Sequence, residues 1–153
     1  MDNKIEENNV RNENDKKKQF LWGYRRHVKR IKRIESEINE IRSMKMYPSV
    51  NNDGVPHGSG QGDLSGYAAE LQQKESELYE EGVEQVQKYN RIAHRIQLLE
   101  NEDERDVLFY RYIKGMGWWE IAQAMDYSER QIFRIHGKAL KHLRIPKDVS
   151  ECQ

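Results

Sequence analysis

The chain has 153 residues, 34% of them charged and 9% aromatic, with three prolines. That length admits one ordinary domain or a small domain with a helical appendage, and the composition suits long exposed helices better than a deeply buried core. Lysine plus arginine equals aspartate plus glutamate, at 26 each. A generic polyanion binder is therefore excluded, and any nucleic-acid surface must come from local segregation of charge.

The segregation is present. Arg11 to Tyr47 holds twelve basic residues against five acidic, a net of +7; Leu64 to Glu100 is −3, with four against seven; Ser128 to Arg144 is +4, with five against one. The one cysteine, Cys152, sits near the end of the chain and can form no intrachain disulfide, which fits a reducing compartment. No apolar run approaches the roughly 18 residues a membrane span requires, and the acidic, Asn-rich start is unlike a signal peptide. The expectation is a soluble, cytoplasmic protein, with no membrane partner.

In chain order, residues 1–15 are polar and Asn/Glu-rich, and are expected to form a disordered tail. From Lys16 the chain turns periodic: Tyr24, Val28, Ile31, Ile34, Ile38 and Ile41 recur at intervals of three and four, the seam of a long helix that Pro48 ends. Residues 48–62 hold two prolines and four glycines and read as a loop. They lack the Gly-Lys-Ser/Thr ending of a phosphate cradle. A second long helix starts near Asp63 or Ser65 and runs to about Leu99, with Leu64, Tyr67, Leu71, Leu78, Val86, Tyr89, Ile92, Ile96 and Leu99 along its seam. Two helices of similar length around one loop predict an antiparallel, coiled-coil-like hairpin over 16–100.

Folding that hairpin about its loop places Lys29, Arg30, Lys32 and Arg33 opposite Glu77, Glu80, Glu81 and Glu84. Flanking charges of this kind set register, so the cluster is expected to serve the hairpin rather than DNA. Lys16 to Lys18 and Arg25-Arg26 face a less acidic stretch, and either an auxiliary nucleic-acid contact or solvated charge suits them.

The third part, 101–146, begins with the capping-rich Asn101 to Glu104 and continues as a helix over Arg105 to Lys114, with Val107, Leu108, Tyr112 and Ile113 inward. Gly115 is placed to close it in the left-handed conformation. Trp118, Ile121, Ala122 and Met125 line one face of a short helix; Trp119 points elsewhere. Asp126-Tyr127 breaks the pattern, Ser128 caps the next helix with Gln131 three residues on, and Ile132, Ile135, Ala139 and Leu143 supply its apolar stripe. Residues 147–153 are a polar tail. The whole predicts an all-α chain, an N-terminal hairpin followed by a helix-turn-helix.

Catalysis has no candidate. The five histidines are scattered and read as surface or half-buried groups, no set has metal-ligand spacing, and no nucleophile motif is present; no cofactor is expected. The outward face of the last helix is different, with Glu129, Arg130, Phe133, Arg134, Gly137 and Lys138 on it. Arginine bonds guanine bidentately and glutamine does the same for adenine, so Arg130, Gln131 and Arg134 are the expected base readers. Ser128, Lys138 and Arg111 are expected on phosphates, and Phe133 on a thymine methyl.

These residues carry a resemblance. Glu104-Arg105 with Val107-Leu108, then Glu120-Ile121-Ala122, Met125-Asp126-Tyr127-Ser128 and Lys138-Ala139-Leu140 with Leu143-Arg144 are similar to region 4, the promoter-reading C-terminal part of bacterial sigma factors. Arg111-Tyr112-Ile113, Gly117-Trp118 and Arg134-Ile135-His136 add a closer likeness to Gram-positive phage regulators of the ArpU/RinA-like group. The resemblance implies a late-gene transcription regulator that binds double-stranded DNA and touches RNA polymerase, with the hairpin supplying a homodimer or partner surface. Phe133 departs from the sigma pattern, which usually has a basic contact there, so base preference does not carry over. Two rival readings fit the same resemblance: a DNA-packaging subunit of the small-terminase kind, and a sigma mimic that occupies RNA polymerase without binding DNA.

Overall fold

In the computed structural model the described residues are 2–46 and 61–146. They are all-α: α1 (Asp2–Met46), α2 (Gln61–Gln97), α3 (Glu102–Leu108) continuing into a π-helical segment (Phe109–Lys114), α4 (Trp118–Met125) and α5 (Glu129–His142). The expected N-terminal hairpin and C-terminal helices are both present. Residues 47–60 of the expected loop lie outside the described residues, as does the expected tail 147–153, while Gln61 and Gly62 already belong to α2.

The expected disordered tail is corrected: residues 2–15 continue α1 without a break. Val10 is exposed there, yet the helix is tied down just beyond it. Glu13 pairs with Lys17 at 2.9 Å across one turn, and the buried Lys17 ammonium donates to the Leu140 carbonyl at 2.9 Å. That carbonyl is one of the orphan acceptors at the end of α5, where a cation also meets the negative end of the helix dipole.

The chain divides into two compact units, and the division departs from the expected boundary at 100–101. One unit comprises residues 27–85, the other residues 1–26 with 86–153. In the first, Ile34, Ile38 and Ile41 are buried and Leu71 and Leu78 half-buried. Charge pairs run along this seam: His27 and Arg30 on Glu81, Lys74 on Glu37 at 2.6 Å, and Arg42 on Glu75 at 2.9 Å. Of the expected cluster, Arg30 reaches Glu81 at 3.5 Å and Arg33 turns to Glu37 on its own helix at 3.9 Å. Lys29 and Lys32 are exposed. The inner charges His27, Glu37 and Arg42 share the seam's side of α1 and take over the pairing.

The second unit has two adjoining cores. Phe20 and Leu21 of α1, Ile92, Ile96 and Leu99 at the end of α2, Leu108, Tyr112 and Ile113, and Ala139, Leu140 and Leu143 form the larger. Val107, Ile121, Ala122 and Ile132 form the smaller, with Trp118, Met125, Tyr127 and Ile135 packed against it. Both cores draw on α5. The C-terminal helices are therefore completed by residues from the start and middle of the chain, and 101–146 is not a core by itself.

Candidate nucleic-acid interface

The local structure around α5 follows from its caps. Asn101 accepts from the Glu104 amide at 3.0 Å to start α3. The segment Phe109–Lys114 widens into a π-helix and ends at Gly115, whose φ of 75° is left-handed and whose amide returns to the Tyr110 carbonyl. The left-handed backbone favours glycine there; a Cβ would also meet the Arg25 guanidinium at 2.7 Å, the movable end of a long side chain. Gly117 donates its amide to Glu120 at 2.5 Å at the start of α4. Asp126, at φ 55°, closes α4, and Tyr127 anchors the turn by donating to Asp103 at 3.1 Å. That bond holds the Tyr127 hydroxyl above its ordinary pKa. Ser128 then accepts from the Gln131 amide at 3.3 Å, the expected cap of α5.

On α5, Ile132, Ala139 and Leu143 are buried as expected, whereas Ile135 is only half-buried. His136 and Leu140 take its place. The inward face is rotated toward them because the larger core lies on that side. The expectation of surface or half-buried histidines is thereby corrected for His136. Its Nε2 lies 2.9 Å from the Tyr112 hydroxyl, and burial, then the cations of Lys18 and Arg111, push its pKa down to about 4. Burial raises Tyr112 to about 12. The pair is uncharged at neutral pH, which suits a helix that must be held without charge beneath it.

The outward face carries the predicted residues. Ser128, Arg130, Gln131, Arg134 and Lys138 are all exposed, and Phe133 is 49% exposed. Lys141 belongs with them and was missed. It stands seven residues after Arg134, two turns along the same face, so the spacing alone would have found it. Arg130, Arg134 and Lys141 run along the centre of this face, with Lys138 and Gln131 to one side and Phe133 to the other.

Phe133 is not a free probe: its ring lies 4.8 Å from that of Trp118. Trp118 in turn meets His136 edge-on at 4.8 Å. Arg111, expected on a phosphate, is placed differently. Its guanidinium lies 4.5 Å from the Trp118 ring and 5.2 Å from the Trp22 ring, and donates to the Met116 carbonyl at 2.8 Å. A half-buried cation stacked between two indoles holds the turn between α3 and α4 rather than reaching outward. Trp119 is 59% exposed, on the side expected. Of the basic residues considered on α1, Lys17 is buried and committed to Leu140, and Arg26 donates to the Gln19 carbonyl at 3.3 Å.

Residues 43–144 match the family described as "Protein of unknown function (DUF1492)". The chain belongs to that family. The match covers about two-thirds of the chain, including all of α2 to α5, and begins after the part of α1 that supplies Phe20 and Leu21. The DUF1492 description carries no activity and draws no connection to the ArpU/RinA-like regulators. No curated protein and no solved structure matches the chain. Among the described residues no helix is long and apolar enough to cross a membrane.

Proposed function

We propose that this DUF1492 chain is a sequence-specific DNA-binding transcription regulator whose α5 reads the major groove of double-stranded DNA. The observation that carries the reading is the outward face of α5. Its exposed Arg130, Arg134, Lys138 and Lys141, with Gln131 beside them, stand on a helix whose opposite face is packed into two cores. Those side chains suit base edges and phosphates, and a rigid helix is what orients them. The likeness to region 4 and to ArpU/RinA-like phage regulators supports the finer form of the proposal: a late-gene activator acting with host RNA polymerase, dimeric through the hairpin.

The test is selection of bound sites from random duplex DNA with the purified chain, followed by gel-shift titration across salt. A selected sequence is expected, with affinity falling steeply as salt rises. Arg134→Ala is expected to cost about 1–3 kcal/mol and to relax preference at one base position. No enriched sequence, together with unchanged affinity for the variant, would refute the proposal. Tight capture of RNA polymerase without salt-dependent DNA binding would select the sigma-mimic alternative, and a large ring would select the packaging alternative.

A further inference from the structure

Gly137 stands in the middle of α5, where glycine disfavours a helix relative to alanine. Neither of the usual reasons for a glycine applies. Its φ is not in the left-handed region, and a Cβ built on it meets nothing within 4 Å. Nothing among the described residues excludes a side chain there, and the reason is to be sought outside the protein.

Its neighbours say where. Arg134 lies three residues before it, Lys141 four after and Arg130 seven before, all exposed on the same line of the helix. Phe133 flanks that line, held by Trp118. The centre of the reading face is thus a bare stretch of backbone with long cations one turn to either side. A groove with negatively charged walls fits that relief, the flexible ends of those cations reaching its walls and base edges while the bare backbone sinks toward its floor. The major groove of DNA is such a surface. It is about 12 Å wide, hardly more than a helix with its side chains, so each side chain removed from the leading face lets the axis sink further.

We propose that Gly137 is the point of closest approach between α5 and DNA, so that the helix lies lengthwise in the groove and touches it from Arg130 to Lys141. This rests on the DNA-binding reading and sharpens it: contact extends over three turns, and specificity includes exclusion at the helix centre.

The experiment is a size series, Gly137→Ala and Gly137→Leu, with two readouts on the full chain. Thermal unfolding should move upward, by about 2–4 °C for alanine, because the site is open and helix propensity improves. Affinity for the duplex selected from the random pool should fall in the order Gly, Ala, Leu, reaching roughly tenfold or more at Leu. Stabilised variants that bind the duplex as tightly as wild type, or more tightly, would overturn the inference while leaving DNA binding intact. A wild-type chain that binds neither the selected duplex nor random-sequence DNA would overturn both.

Discussion

Replacing Leu21 with alanine removes a side chain that is 0% exposed and sits in the core shared with Ala139, Leu140 and Leu143 of α5. Truncating a fully enclosed leucine loses its transfer free energy and leaves a cavity, together about 2.7–5 kcal/mol. For a chain of this size each kcal/mol lowers Tm by about 2–4 °C, so the variant should melt roughly 6–15 °C or more below wild type. The natural control is Leu98→Ala, since Leu98 is 60% exposed and its truncation should stay within about 0.5 kcal/mol. Urea titration followed by helical circular dichroism gives both free energies, and gel shifts below the melting range give the DNA affinity. If Leu21→Ala behaves like Leu98→Ala, the first half of α1 is not part of the core beneath α5, and the division of the chain into its two units is wrong.

Two further predictions follow from the groups beneath that helix. His136 has a folded pKa of about 4 against an ordinary 6.5, so the unfolded chain binds its proton first. The stability it contributes is complete above about pH 6.5 and is lost as pH falls toward 4, amounting to about 3 kcal/mol; in urea titrations, His136→Gln should flatten the dependence across that window, and an unchanged slope would refute the assignment. Arg111→Ala should cost about 1–3 kcal/mol by removing the stacked cation and its bond to Met116, whereas Arg134→Ala should leave the melting temperature nearly unchanged; equal stability of the two variants would return Arg111 to the DNA-contacting face.

Much of this was legible in the chain because it rests on local rules. The interval of three and four identified Ile34, Ile38 and Ile41, and Ser128 and Gly115 announced a helix start and a helix end that both took their expected geometry. Contacts between distant residues were not legible. His136 is polar, so no hydropathy stripe includes it, and only Tyr112 from another helix makes its burial affordable. Lys17 reads as one charge in a run of three, and its role depends on a carbonyl at the other end of the chain. Phe20 and Leu21 continue the seam of Tyr24 at the right spacing, but the seam alone does not say that they join a core shared with α5 as well as α2. Arg111 carries no mark that separates a stacked arginine from a solvated one until Trp22 and Trp118 are seen on either side.

The bond from Lys17 to Leu140 spans 123 residues of sequence. Contacts that close so long a stretch form late, because the entropy of closure is lost before the contact returns anything. During synthesis, residues 17–21 emerge well before α5 exists, and their contacts with it must wait. The order of folding is thus inverted with respect to the order of translation: α1 is finished by α5. A chain stopped short of α5 would lack Ala139, Leu140 and Leu143 in the larger core, so closure of that core would itself report that translation has run past Leu143.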